Sequence, residues 1–75
     1  MEKILIIEDD ADIAEIEKDY LALSGYSVDI ESDGNGGLYA ALNGNYDLIL
    51  LELRLPGRDG LEICRRIRDK TKVPI

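Results

Sequence analysis

The chain has 75 residues, 45% of them hydrophobic and 33% charged, a composition typical of one small folded domain. Its formal net charge of −7 argues against direct binding to nucleic acid or to an anionic membrane, since both require an excess of Lys and Arg. A single cysteine, Cys64, and the absence of histidine exclude an intrachain disulfide and a metal site built from His and Cys.

The first predicted element is a strand over residues 4–7, an aliphatic run too short for a buried helix. Three acids follow it at positions 8–10. The strand therefore delivers carboxylates to one edge of the sheet that it joins.

A helix is predicted over residues 11–24, with Asp10 or Asp12 capping its first turn and Gly25 ending it in the left-handed conformation. Four apolar residues recur at helical spacing and predict the stripe that faces the core: Ile13, Ile16, Tyr20 and Leu23. The solvent side is expected to carry Glu15, Lys18 and Asp19.

Residues 27–32 alternate between polar and apolar positions, which predicts a half-exposed edge strand. The glycine-rich residues 33–37 lack the spacing of a phosphate-binding loop and are interpreted as a flexible turn. A short helix over residues 38–42 is expected to follow.

Residues 48–51 predict a second buried strand, which ends at Glu52. Residues 54–60, with a Pro-Gly turn, are expected to form a loop before a helix over 61–69. This helix is expected to have a basic polar side and one apolar face carrying Leu61, Cys64 and Ile67. Residues 71–75 predict the start of a further strand.

The predicted order β-α-β-α-β-α, with the start of a fourth strand, indicates an α/β fold with a doubly wound parallel sheet. If the first and third strands are neighbours, Glu8, Asp9 and Glu52 meet at the carboxyl edge of the sheet. An all-oxygen group of this kind suits Mg²⁺ or Mn²⁺. The alternative is that the acids after the first strand only cap the following helix.

The residues resemble the receiver domains of response regulators over essentially the whole chain. The similarity lies in the acidic opening at 4–10, the central segment at 46–60 and the helix at 61–68. The style of the central segment is closest to receivers attached to winged-helix transcription regulators. The resemblance implies a flavodoxin-like fold, a two-component signalling role in the cytoplasm, and no enzymatic activity.

The resemblance also implies roles for individual residues. Glu8 and Asp9 would bind Mg²⁺, Asp9 directly and Glu8 through water, and the backbone carbonyl of Arg54 would be a further ligand. Glu52 would occupy the position of the aspartate that accepts a phosphoryl group from a histidine kinase. Since glutamate is longer by about one C–C bond, we expect transfer to fail, and the residue either imitates the phosphorylated state or silences the site.

The resemblance further implies that residues 1–75 form one truncated domain, because a receiver has five strands and a hydroxyl residue and lysine beyond these positions. We therefore expect the third strand to have an open edge and the chain to self-associate, as a homodimer or higher oligomer. An excised or engineered folding fragment without activity is one alternative. A Mg²⁺-dependent phosphatase is another, since Glu8 and Asp10 are two residues apart.

Overall fold

The computed structural model describes residues 2–55 and 58–75, so the predicted Pro-Gly turn at 56–57 lies outside the described residues. The strands are β1 (Lys3–Ile7), β2 (Ser27–Glu31), β3 (Leu48–Leu51), β4 (Arg54–Leu55) and β5 (Arg58–Asp59). The helices are α1 (Ala11–Leu23), α2 (Gly34–Asn43) and α3 (Gly60–Lys70). No helix in the described ranges is long and apolar enough to cross a membrane.

Three parallel strands form the main sheet, in the order β2-β1-β3. The first strand of the chain is therefore central, and β2 is an edge strand as its alternating pattern predicted. Ile7 pairs with Leu51 in the β1–β3 register, so the residues that follow these two strands are neighbours. The predicted α/β class with a parallel sheet is thereby confirmed.

Two hydrophobic clusters lie on opposite faces of this sheet. On one face Leu5, Ile7 and Ile49 pack with Ile63 and Ile67 of α3, and each of the five is fully buried. The other face is covered by α1 and is centred on four buried residues: Ile4, Ile6, Ala14 and Val28. This arrangement buries β1 on both sides, as its continuous aliphatic run predicted.

The ends of α1 agree with the sequence. Asp10 is the N-cap, and its carboxylate accepts hydrogen bonds from the amides of Asp12 and Ile13. At the other end the Gly25 amide donates to the Ala22 carbonyl, and Gly25 has a φ of 94°. A side chain at this φ would be strained, which explains why a glycine ends the helix.

The predicted core-facing stripe of α1 is wrong. Ala14 faces the sheet, whereas the exposed fractions of the stripe residues are 46% for Ile13, 69% for Ile16, 73% for Tyr20 and 89% for Leu23. At 100° per residue these positions lie about 100–180° around the helix from Ala14. Ala14 and the half-buried Leu21 pack on the sheet side instead. The outer surface of α1 is consequently an exposed apolar stripe, a name used below for these four residues.

The flexible turn predicted at 33–37 is also wrong, because four of these residues form the first turn of α2. The Asp33 carboxylate accepts a 2.7 Å hydrogen bond from the Gly36 amide and caps the helix. Gly37 lies against Ile7, where a Cβ atom would come within 2.6 Å of the Ile7 side chain. Capping and close packing therefore outweigh the low helix propensity of glycine at this point.

The region after β3 departs from the predicted loop, because Arg54–Leu55 and Arg58–Asp59 form a two-stranded antiparallel ladder.

The face predicted for α3 is only partly right: Ile67 is buried, but Ile63 takes the second core position and Leu61 is 50% exposed. The charged residues of this helix do lie on the exposed side.

Residues 71–75 form no strand, yet the Ile49 amide of β3 donates a 2.9 Å hydrogen bond to the Pro74 carbonyl. The Arg68 guanidinium donates to the Val73 carbonyl at 2.7 Å and holds the same segment from α3. The segment therefore lies beside β3, where a fourth strand would pair.

Candidate functional site

The candidate site lies at the carboxyl edge of the sheet, where β1 and β3 end side by side. The Glu52 amide donates to the Ile7 carbonyl at 3.0 Å, which sets Glu52 beside Glu8. A cleft of about 790 Å³ opens there. Its lining residues are Glu8, Asp9, Asp10, Ile13, Leu51, Glu52, Leu53 and Arg54. All four residues predicted for the site therefore line one cleft.

Glu8 is the buried acid of this cleft, with 7% of its surface exposed. Burial raises the pKa of its carboxyl above the ordinary 4.5, while a hydrogen bond from the Asp10 amide lowers it. A side-chain hydrogen bond with Asp9 and the negative charges of Glu52 and Asp9 raise the pKa further. Glu8 therefore retains its proton to higher pH than a glutamate in water.

Backbone amides satisfy three of the four cleft carboxylates. The Asp10 amide donates to Glu8 Oε2 at 3.3 Å, and the carboxylate of Asp10 caps α1. The Arg54 amide donates to Glu52 Oε1 at 3.0 Å. The acids are thus held apart by local hydrogen bonds as well as by mutual repulsion.

The cleft offers oxygen donors to the predicted Mg²⁺. Its donors fit a hard cation, because carboxylate oxygens are the ligands that Mg²⁺ prefers. Their present arrangement is not that of a closed ligand set: within residues 2–55 and 58–75, no three His, Cys, Asp or Glu side chains form a group that could hold a metal ion. The Arg54 amide binds one carboxylate oxygen of Glu52, Oε1, and a carboxylate has a second oxygen that can bind a cation.

Two exposed apolar side chains flank the acids of the cleft. Ile13 is 46% exposed and begins the apolar stripe of α1, and Leu53, which also lines the cleft, is 51% exposed. The sequence missed this apolar rim because Ile13 was assigned to the core and Leu53 to no face.

Gly60 closes the turn that carries Glu52, and no role for this glycine was predicted from the sequence. The Gly60 amide donates to the Leu53 carbonyl at 3.1 Å. A Cβ at position 60 would lie 2.8 Å from the Glu52 carbonyl oxygen. Only glycine permits this approach, so the glycine before the third predicted helix was the signal available in the sequence.

Comparison with known proteins covers nearly the whole chain. Residues 4–75 match the family described as response regulator receiver domain. Response regulator ArlR of Staphylococcus haemolyticus is 51% identical over 75 residues, which are 100% of this chain and 34% of that protein. Transcriptional regulatory protein ResD of Bacillus subtilis is 44% identical over 73 residues, 97% of this chain and 30% of that protein. The chain thus spans about a third of the length of these curated relatives.

Solved structures of a response regulator from Thermotoga maritima superpose closely on the chain. TrrA in complex with Mg(2+)-BeF gives a TM-score of 0.92 at 39% identity, covering 96% of this chain and 63% of that chain. TrrA in complex with the histidine kinase ThkA gives a TM-score of 0.90 at 38% identity, covering 99% of this chain and 64% of that chain. With its sheet order, its acidic carboxyl edge and these relatives, the chain belongs to the response regulator receiver domain family.

Proposed function

We propose that the chain is the receiver segment of a two-component response regulator whose parent protein takes a phosphoryl group from a histidine kinase and controls transcription. The carrying observation is the carboxylate of Glu52 at the end of β3, beside the buried Glu8, in a member of this family. ResD is named a transcriptional regulatory protein, which supports the role in transcription by similarity. TrrA has a structure in complex with the histidine kinase ThkA, which supports a kinase partner in the same way. A cytoplasmic location stays a prediction.

The metal proposed for this cleft is Mg²⁺, with Glu8, Asp9, Glu52 and the backbone carbonyl of Arg54 as its protein ligands. Similarity to TrrA, whose structure contains Mg(2+)-BeF, supports the proposal. When bound, the cation would offset the charge of the carboxylates and of phosphoryl oxygens. In its absence, this chain's own amides hold Glu8 and Glu52 in place.

We further propose that the chain does not accept a phosphoryl group stably, because Glu52 stands where the family has aspartate. In-line transfer depends on placement, and an error of about 1 Å can cost about 100-fold in rate. Incubation with acetyl phosphate and Mg²⁺, followed by intact-mass measurement, tests this. Wild type should keep its mass, whereas Glu52→Asp should gain one phosphoryl group. A phosphoryl group found on Glu52 of the wild type would contradict the proposal.

The apolar stripe of α1 is the surface we propose for the kinase. It begins at Ile13 in the wall of the cleft, so a protein docked on it can reach Glu52. The test uses the Glu52→Asp background with and without Ile16→Glu. Phosphoryl transfer from a phosphorylated histidine kinase should fall, while transfer from acetyl phosphate, which needs no docking, should be unchanged. Equal loss with both donors would point to a folding defect and count against the docking surface.

Self-association through the outer side of β3 is also proposed, since β3 ends the sheet order and only residues near Pro74 are seen beside it in the described ranges. A charge placed at this edge should oppose pairing with a second chain. Sedimentation should show a dimer or larger species for wild type and a shift towards monomer for Ile75→Lys. Tyr39→Lys, which adds the same charge on the exposed side of α2, is the matched control. A clean wild-type monomer with cooperative unfolding would contradict the proposal.

A signalling role is preferred to a phosphatase because of how Asp10 is used. The amides of Asp12 and Ile13 both donate to Asp10 Oδ1, which commits this carboxylate to the helix cap. A phosphatase would need it free beside Glu8. A turnover assay on a generic phosphate ester, expected to be negative, checks this choice.

A further inference from the structure

Two Asn-Gly pairs lie at the two ends of α2, Asn35-Gly36 in its first turn and Asn43-Gly44 where the helix stops. An asparagine before glycine is prone to deamidation, because the glycine nitrogen is close to the side-chain amide carbon and no side chain shields it. Asn43 is exposed, and Gly44 is the C-cap of the helix. The end of α2 therefore combines a reactive dipeptide with an accessible position.

The last turn of α2 holds both reacting groups of the second pair. The Gly44 amide donates to the Ala40 carbonyl at 2.8 Å, and Asn43 Nδ2 donates to the Tyr39 carbonyl at 2.9 Å. Both hydrogen bonds oppose the reaction, since the attacking nitrogen has to lose its proton and the asparagine side chain has to turn towards it. The two acceptors belong to the same turn, so a single opening of the helix end frees both groups together.

The first pair is held more firmly. The Gly36 amide donates to the Asp33 carboxylate at 2.7 Å, and a bond to a charged acceptor is stronger than one to a neutral carbonyl. The negative charge of Asp33 also opposes loss of the amide proton. The next residue, Gly37, lies against Ile7 in the core, so opening of this turn would disturb buried packing. The two ends of α2 should therefore react at different rates.

We propose that Asn43 is a site of spontaneous deamidation, and that opening of the last turn of α2 sets its rate. The deprotonated Gly44 nitrogen attacks Cγ of Asn43, a C–N bond forms, and the side-chain nitrogen takes up a proton and leaves as ammonia. Water then opens the five-membered imide at either carbonyl, which gives aspartate or isoaspartate at this position. Both products place a carboxylate at the C-terminal end of the helix, where the helix dipole disfavours negative charge. Deamidation thus weakens the turn that protected the residue.

Peptide mapping by mass spectrometry tests the proposal on the 75-residue chain, incubated in mildly alkaline buffer with and without urea. In the folded chain Asn43 should accumulate product at least about tenfold more slowly than in urea, and Asn35 more slowly still. In urea the two sites should react at similar rates, because only the dipeptide then matters. The proposal would be overturned by equal rates at Asn43 with and without urea, by no product there in the folded chain, or by faster reaction at Asn35.

Two substitutions act on one end of the helix each. A Cβ on Gly44 would overlap the Tyr46 ring, so this ring packs against the C-cap, and Tyr46→Ala should speed deamidation at the end of α2 alone. Asp33→Ala removes the acceptor of the Gly36 amide and should speed the reaction in the first turn alone. A rise at both sites in either variant would show that unfolding of the whole chain sets the rates, which would overturn the role of the last turn.

Discussion

The hydroxyl of Tyr46 donates a 2.7 Å hydrogen bond to the carboxylate of Asp29, which ties the residues before β3 to the edge strand β2 across β1. Lys3 lies between them, with its Nζ 3.9 Å from Asp29 Oδ2 and 4.7 Å from the centre of the Tyr46 ring. Tyr46→Phe should lower the free energy of unfolding by about 1 kcal/mol, because the hydrogen bond is lost and the ring remains. Urea denaturation measures the change, and Tyr39→Phe, whose ring is 71% exposed, should change it far less.

The same contact predicts a pH dependence. Burial, the hydrogen bond to Asp29 and the charges of Asp29 and Glu31 raise the pKa of Tyr46 from 10.0 to about 12. Since the folded pKa lies above the unfolded value, this stabilisation is fully present below pH 10 and is lost as the pH rises from 10 through about 12. Difference absorbance between wild type and Tyr46→Phe should place this phenol's titration near 12. A midpoint at 10 would show that the contact does not form in solution.

Glu8 is a second acid whose pKa is raised in the folded chain. Its contribution to stability is fully present below the ordinary 4.5 and is lost as the pH rises through the folded value, so ionised Glu8 destabilises the metal-free fold. Glu8→Gln should therefore be more stable than wild type at pH 7, and the difference should shrink as the pH falls through the raised folded pKa towards 4.5. Thermal unfolding across this range measures the difference. A destabilised Glu8→Gln at pH 7 would contradict the argument.

Gly37 is the glycine whose replacement should cost most within α2. A Cβ there would lie 2.6 Å from one Ile7 methyl and 2.8 Å from another, in the middle of the core. Gly37→Ala should destabilise by about 1–3 kcal/mol, the range for an overpacked core. Gly36→Ala is the matched control, since its Cβ would meet the end of the flexible Glu31 side chain at 2.6 Å and Asp33 Oδ1 at 3.4 Å, and alanine favours the helix. The order of the two stabilities in chemical denaturation checks the prediction.

A buried and an exposed isoleucine should respond differently when the side chain is shortened to alanine. Ile63 is 0% exposed and Ile63→Ala should cost about 2–5 kcal/mol. Ile16 is 69% exposed, so Ile16→Ala should change stability by no more than about 0.5 kcal/mol. Similar large losses from both would mean that the apolar stripe of α1 is buried in solution.

Much of the fold was predictable because β1, β3 and the cap of α1 have strong local signals. The aliphatic runs fix the buried strands, and Asp10 and Gly25 fix both ends of the helix. Which face of α1 is buried was not predictable, since Ile16 and Tyr20 satisfy helical periodicity as well as Ala14 does. That choice is made by the sheet, which accepts the small side chain.

The candidate site, like the fold, was predictable from the sequence only in part. The carboxyl edge and its acids, Glu8 and Glu52, followed from the order of elements alone. The hydrogen bond from the Arg54 amide to the Glu52 carboxylate did not, because it depends on a side-chain rotation that no spacing encodes. Likewise, the first turn of α2 depends on Ile7 being thirty residues away in the chain and adjacent in space.

The position of β1 in the sheet also governs when the cleft can form. Because β1 is first in the chain and central in the sheet, Lys3 must find Ser27 and Ile4 must find Leu48, and each pairing closes a long loop. Such non-local pairings slow folding. During synthesis, β1 and α1 emerge well before β3, so Glu8 stays in water until β3 docks. Assembly of the cleft is thus tied to the pairing of β1 with β3, and a chain arrested before residue 48 carries its first acids without a site.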